Sequence, residues 1–184
     1  MIRHSPEMQT RVLASLALML DFYGMEISPT NSLLITRHSD RRICQKQFRN
    51  LTESYHNYLR ITRIFKSLVE LGQQDYVPSI MLFILAEQSE NGQLDGRDLK
   101  ASMDRYWVYC MRERDAQNCV ANAIRWVRGD GEFTMKAYEK MVQTKQSAGV
   151  WEFDAEDLGL GRGSARSNTW ITGRVVGRLR SFNS

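Results

Sequence analysis

The feature that most constrains the fold is a series of apolar residues at helical spacing between residues 56 and 71. Its members recur every three to four positions: Tyr58, Ile61, Ile64, Phe65, Leu68 and Leu71. This spacing places them on one face of an α-helix, and Gly72 follows where a left-handed residue commonly ends a helix. The pattern predicts an amphipathic helix over residues 56–71 that packs one face against other helices.

The segment that follows predicts the centre of that interior. Residues 77–88 are apolar on nearly every side, which is typical of a helix buried all round. Pro78 is compatible with this helix because it falls in the first turn. We therefore expect residues 77–88 to form the central element of the domain.

The same signals predict further helices over residues 6–23, 42–51, 99–110, 116–127 and 134–146. Ser5 and Thr134 are suited to cap the first and last of these, and Gly24 to end the first. Residues 25–36 are rich in Ser, Pro, Thr and Asn and predict an irregular connection. Together the segments predict an all-α fold, a compact bundle of about five to seven helices over residues 1–147.

Residues 148–184 predict a flexible, irregular, basic C-terminal tail, because they are small, polar and glycine-rich. The chain has 25 Lys and Arg against 21 Asp and Glu, a formal net charge of +4. The last 25 residues contain five arginines and no acidic residue: Arg162, Arg166, Arg174, Arg178 and Arg180. Because the excess charge lies there, we do not expect a basic groove in the folded domain. The tail is a candidate for non-specific nucleic-acid binding, and a solvated tail is the alternative.

Composition also bears on membranes, cofactors and catalysis. The longest apolar run, residues 80–86, is much shorter than the ~18 residues that a membrane-spanning helix needs. Three cysteines without a CxxC motif favour an intracellular protein, cytoplasmic or nuclear, and provide no set of four metal ligands. No acid, base and nucleophile can be assembled around His56, so we expect neither an enzyme nor a bound cofactor.

A polar ridge follows the helix over residues 56–71. It consists of His56, Arg60, Arg63 and Ser67. Two guanidinium groups one turn apart can bind a carboxylate or a phosphate in a forked geometry, so the ridge is a candidate site for an anionic ligand. The alternative is structural, because arginines beside a buried face often pair with carboxylates of a neighbouring helix. For Arg60 the partner that we expect is Asp21.

Tyr106 and Trp107 form a second candidate surface. Exposed aromatic side chains can line a groove for a peptide, whereas at helical spacing aromatic residues more often belong to the core. Tyr106, Trp107 and Tyr109 are too close in sequence to share one helix face, so at least one should point away from the apolar stripe.

Two blocks of sequence carry a resemblance to a known family. They are LMLDFYGMEI at residues 18–27 and HNYLRITRIFKSLVELG at residues 56–72. Both resemble the conserved domain of the opioid growth factor receptor family, and weaker similarity continues through Ser102, Tyr106 and Trp107. The resemblance extends over residues 8–125.

The resemblance implies a helical domain and, in animal members, binding of an enkephalin-type peptide with a nuclear or perinuclear role. It adds Asn57, inside the second block, to the candidate ligand-binding residues. It also implies that an upstream part of the family domain is missing, which would leave the stripe on residues 8–23 uncovered and able to support self-association. We therefore expect a non-catalytic binding or regulatory domain for a peptide or protein, with nucleic-acid association through the tail as the alternative.

Overall fold

Three of the helices described by the structure follow directly after a residue whose side chain caps them. The computed structural model describes residues 2–161, and this range contains seven α-helices, which confirms the predicted all-α fold. They are α1 (Pro6–Phe22), α2 (Arg41–Glu53), α3 (His56–Glu70), α4 (Tyr76–Glu90), α5 (Arg97–Ser102), α6 (Arg114–Arg128) and α7 (Met135–Ala148). Ser5, Asp40 and Thr134 each accept a hydrogen bond from a backbone N–H in the first turn of the helix that follows.

A small β-hairpin interrupts the helices where we predicted an irregular connection. Strands β1 (Met25–Ile27) and β2 (Ile35–Arg37) are antiparallel, with Met25 opposite Arg37. Asn31 shapes the loop between them, because its side-chain oxygen accepts hydrogen bonds from the backbone N–H groups of Leu33 and Leu34. Three-residue strands are too short to show an alternating pattern, so periodicity does not predict them.

The helix predicted over residues 99–110 is divided into three parts. Helix α5 continues as a π-helical turn (Met103–Trp107) and then as a 3-10 turn (Val108–Cys110). Met103 and Trp107 at the two ends of the π turn are both fully buried. The departure from α-helical geometry therefore coincides with the insertion of the large indole ring into the core.

Helix α4 is the centre of the core, as predicted. Every residue from Tyr76 to Gln88 is buried, and the helix contacts α3, α6 and α7. Ile80 and Ile84 of α4 also lie with Leu16 and Leu20 of α1 around a small apolar cavity. The surrounding helices therefore bury their apolar faces against one shared element.

Two polar contacts attach the hairpin to this core. The carboxylate of Glu87 is fully buried in α4 and accepts hydrogen bonds from Arg37 Nε at 2.7 Å and Arg37 Nη2 at 2.6 Å. The hydroxyl of Tyr138 accepts a hydrogen bond from the backbone N–H of Ile35 at 2.7 Å and lies 2.9 Å from Ser79 Oγ. Each contact satisfies a polar group that burial has removed from water.

Helix α1 buries the stripe that we expected to be uncovered. Leu16, Leu20 and Tyr23 are all buried, because α3 and α4 of this chain cover them. That part of the expectation is wrong, while self-association itself stays a prediction. The exposed apolar side chains of α1 lie on its other face and include Leu18 and Phe22.

Residues 149–161, which we assigned to the tail, run back over the domain. Trp151 is buried, and its Nε1 donates a hydrogen bond to Asp75 Oδ1 at 3.2 Å. The ring of Phe153 lies beside those of Trp126 and Phe133, with centroids 6.5 and 6.2 Å away. This part of the predicted tail is therefore packed, and the division at residue 147 stays a prediction.

The buried carboxylate of Glu87 gives a test of the fold. Replacing Arg37 with Ala leaves this charge without its bidentate partner, so we expect the free energy of unfolding to fall by about 2–3 kcal/mol. Arg11→Ala removes an exposed pair with Glu7 and should change it by only about 0.5 kcal/mol. Urea unfolding followed by circular dichroism measures both values, and equal losses would contradict the assigned role of the Arg37–Glu87 pair.

Candidate functional site

The predicted ridge lies on the outer face of α3. The side chains of His56, Arg60, Arg63 and Ser67 are all exposed. The opposite face of the helix is buried and includes Ile61, Phe65 and Leu68. The structure therefore places these four predicted site residues together in a line along solvent.

The arginines of the ridge do not pair with carboxylates of a neighbouring helix within the described residues, although that was the structural alternative. Neither Arg60 nor Arg63 has a carboxylate oxygen within 4.0 Å. Asp21, the partner that we expected for Arg60, lies instead 3.0 Å from His38 Nε2. The cause is the hairpin, which holds His38 at the end of α1 through a backbone hydrogen bond to Gly24.

Two predicted site residues are buried and cannot contact a ligand in this conformation. Asn57 is 2% exposed and donates a hydrogen bond from Nδ2 to the backbone oxygen of Asn50. Trp107 is 0% exposed, and its Nε1 donates to Thr62 Oγ1 at 3.1 Å. Both side chains hold α3 to its neighbours, so we remove them from the candidate surface.

Tyr106 has the opposite orientation from Trp107. Its side chain is 62% exposed, which confirms that the adjacent aromatic residues diverge. The hydrogen bond of Trp107 to Thr62 fixes the π turn, which carries Tyr106, against α3. Leu59 of α3 is 63% exposed, and Tyr55 and Tyr109 are exposed as well. We call Tyr55, Leu59, Tyr106 and Tyr109 the apolar strip.

Helix α2 adds basic residues that the sequence analysis did not select. Arg42, Lys46 and Arg49 recur at helical spacing and are exposed, while Cys44 and Phe48 of the same helix are buried. The signal was visible in the sequence as an i, i+4, i+7 pattern. We missed it because we considered the charge of the whole domain rather than that of each helix.

Helices α2 and α3 are fixed to each other at their junction. Only Ser54 and Tyr55 separate them, and Tyr58 Oη donates a hydrogen bond to the backbone oxygen of Thr52 at 2.8 Å. Gly24 allows α2 to approach the end of α1, since its φ is +76° and an added Cβ would lie 3.0 Å from the backbone oxygen of Cys44. The two helices that carry the basic side chains are thus joined by a short connection with a hydrogen bond across it.

Seven Lys and Arg residues of α2 and α3 are exposed, and the name cationic face is used for the six that recur along the solvent sides of the two helices: Arg42, Lys46, Arg49, Arg60, Arg63 and Lys66. In the part of the chain that the structure describes, none of the six has a carboxylate within 4.0 Å, whereas eight other Lys and Arg side chains do. Residues 41–66 contain one acidic residue, Glu53. The net charge of the whole domain does not reveal these residues, and the expectation that the domain has no basic groove stays a prediction.

His38 and Asp21 form a histidine–carboxylate pair, and both ring nitrogens of His38 face partners within the fold. His38 Nδ1 accepts from the backbone N–H of Asp40 at 2.9 Å, while Nε2 faces Asp21. Both ring nitrogens are therefore engaged. In residues 2–161 no group of three His, Cys, Asp or Glu side chains is arranged to hold a metal ion.

Cys44, Cys110 and Cys119 are all buried. Burial raises the pKa of the Cys44 and Cys110 thiols, and it raises the pKa of Cys119 to about 12. The five arginines proposed for nucleic-acid binding, Arg162 to Arg180, lie outside the described residues. Among the helices of residues 2–161, none combines the length and apolar character that crossing a bilayer requires.

The fold defines an all-helical domain built around one buried helix, with an exposed cationic face on α2 and α3. Comparison with known proteins identifies the family. Residues 1–142 match the model described as the opioid growth factor receptor (OGFr) conserved region, and the chain belongs to this family. This agrees with the resemblance drawn from the two sequence blocks.

The relatives that the chain matches are much longer than the chain. It is 37% identical over 112 residues to opioid growth factor receptor-like protein 1 of Xenopus tropicalis, covering 61% of this chain and 21% of that protein. It is 35% identical over 112 residues to the opioid growth factor receptor of Homo sapiens, covering 61% of this chain and 16% of that protein. No solved structure matches the chain.

The raised thiol pKa values predict slow alkylation. At pH 8 the thiolate fraction of Cys119 is on the order of 10⁻⁴, because its pKa is about 12. We expect iodoacetamide to leave all three cysteines of the native protein mostly unlabelled, and to label all three in urea, as counted by intact-mass spectrometry. Native labelling as fast as that of the unfolded chain would show that the thiols are accessible.

Proposed function

We propose that this chain is a non-catalytic domain that binds a peptide or protein segment along the outer face of α3. The observation that carries the proposal is the arrangement of that face, where exposed Leu59 lies next to Arg60 and one turn before Arg63, and in residues 2–161 neither arginine has a carboxylate partner. A bound segment can cover exposed apolar side chains and provide partners for unpaired charged ones.

The family name supports the same class of function. Its relatives are named opioid growth factor receptor and opioid growth factor receptor-like protein, and a receptor for a growth factor binds a peptide or protein. An enkephalin-type peptide is one candidate ligand by that resemblance. We place the protein inside the cell, in the cytoplasm or the nucleus, and the three unpaired buried cysteines support a reducing compartment.

A binding role also accounts for the chemistry of the polar residues better than catalysis does. His38 has both ring nitrogens engaged, His56 is exposed and lies against the ring of Tyr55, and the cysteines are buried. An enzyme needs an acid, a base or a nucleophile that reaches the substrate. The exposed groups of α3 instead provide positive charge and apolar area.

Nucleic-acid association is the second candidate function. The observation that favours it is the run of five arginines, Arg162, Arg166, Arg174, Arg178 and Arg180, at the end of the chain. Such a segment binds phosphates without sequence preference and loses affinity steeply as salt increases. Deleting residues 162–184 separates this function from binding at α3.

The apolar strip gives the test of the proposed function. Peptides selected by display on the full chain should lose affinity by about tenfold or more when Leu59 and Tyr106 are both replaced by Ser, because buried interface side chains contribute ~1–2 kcal/mol each. Isothermal titration calorimetry of the selected peptides measures the change.

Helix α1 offers a matched control for this test. Leu18→Ser with Phe22→Ser also removes two exposed apolar side chains, but from the outer face of α1, and should leave the affinity within about twofold. A selection that yields no binding peptide, or peptides that bind both double variants equally well, would contradict the proposal.

A further inference from the structure

The cationic face is not required by the fold. Basic side chains elsewhere in the described residues bridge distant elements: Arg37 holds β2 to α4, and Arg128 donates two hydrogen bonds to Asp104 across the domain. The six side chains of the cationic face make no hydrogen bond or ion pair within residues 2–161. Six like charges on two adjoining helices repel one another, which slightly disfavours the folded state. Their role is therefore to be sought outside the chain.

The face has a defined end. At the last turn of α3 the carboxylate of Glu70 contacts both Arg3 and Arg112, so the basic side chains there have a carboxylate partner. The unbalanced charge thus extends from Arg42 on α2 to Lys66 on α3. A ligand of opposite charge would be attracted to this stretch and not to the far end of the helix.

We propose that the partner segment that binds α3 is an acidic peptide, whose carboxylates pair with the cationic face and whose apolar side chains cover the apolar strip. This rests on the proposed function, since it names the class of ligand for the same surface. Arg60 and Arg63 are about 4.5 Å apart along the helix axis, and Lys66 follows at the same interval. Carboxylates on successive turns of a helix, or on alternate residues of an extended chain, recur at ~5–7 Å and can pair with them.

The apolar strip distinguishes a peptide from a nucleic acid. Leu59 is 63% exposed and lies on the same helix as the arginines, one turn before Arg63. An aliphatic side chain between cations is complementary to a polypeptide that carries acidic and apolar side chains on one face. A phosphate backbone offers no apolar group to cover Leu59, while the three tyrosines of the strip suit bases and apolar side chains alike, so Leu59 is the residue that distinguishes the two ligands. The observations therefore favour the acidic peptide.

The test uses the full chain and fluorescence anisotropy. The probe is a labelled peptide of about eight residues that repeats Glu-Glu-Leu-Leu, so that each face of the extended chain carries both kinds of side chain. It spans roughly 27 Å when extended and so covers α3. Its counterpart has Gln in place of every Glu, and a labelled oligothymidylate of similar length is the third probe. We expect the Glu peptide to bind at least about tenfold more tightly than the Gln peptide at low salt.

Charge variants locate the binding. Replacing Arg49, Arg60 and Arg63 together with Gln should weaken binding of the Glu peptide by about tenfold and remove most of its advantage over the Gln peptide. The matched control replaces Arg114, Arg125 and Lys136 with Gln, which removes the same charge from exposed residues of α6 and α7. The control should change the affinity by less than about twofold.

The outcomes separate this inference from the proposed function. Equal binding of the Glu and Gln peptides, with loss in the Leu59→Ser, Tyr106→Ser variant, would overturn the acidic partner and leave peptide binding intact. Oligothymidylate that binds more tightly than the Glu peptide and depends on Arg49, Arg60 and Arg63 would make the cationic face a nucleic-acid surface. A preference for the Glu peptide that disappears when residues 162–184 are deleted would assign the charge effect to the tail and overturn the inference.

Discussion

The complete burial of α4 is the constraint on which the rest of the structure depends. Thirteen successive residues, Tyr76 to Gln88, are removed from water, and each large apolar side chain among them contributes ~1.5–3 kcal/mol by its transfer. A helix cannot be buried on all sides by one neighbour. It needs cover in every direction, which α1, α3, α6 and α7 provide together.

The polar residues of α4 determine how these neighbours are placed. Ser79 bonds to Tyr138 of α7, Glu87 to Arg37 of β2, and Gln88 to Arg128 of α6. Apolar packing alone tolerates small shifts of one helix along another, whereas a buried polar atom must meet its partner at hydrogen-bond distance. Three such contacts to three elements therefore select one arrangement of the bundle.

Much of this fold could be predicted from the sequence, because helices are signalled locally. The stripes of α1 and α3, the apolar α4 and the caps at Ser5 and Thr134 are all contained in short segments. The hairpin, the π turn and the packing of Trp151 are not, since each depends on a partner far away in the sequence. Trp151, for example, is fixed by Asp75, 76 positions earlier.

The candidate site could be predicted to a similar extent and for the same reason. Helical spacing identified the ridge of His56, Arg60, Arg63 and Ser67, because neighbours on one helix face follow from periodicity. It could not decide that Asn57 and Trp107 are buried, because that depends on where α2 and the π turn pack. The basic residues of α2 could have been predicted from their helical spacing. The near-neutral net charge of the domain gave no indication of them.

The burial of Trp107 fixes the backbone that carries its exposed neighbour Tyr106. The indole of Trp107 contacts the rings of Tyr58 and Phe65 edge-on and donates a hydrogen bond to Thr62. The π turn is therefore fixed to α3. Tyr106 is attached to this fixed turn and has little backbone freedom left to lose when a ligand binds. Because ordering a flexible residue opposes binding, a side chain held in this way contributes more of its contact energy to affinity. The packing that buries Trp107, and so keeps it from contacting a ligand, is thus what makes Tyr106 suited to contact one.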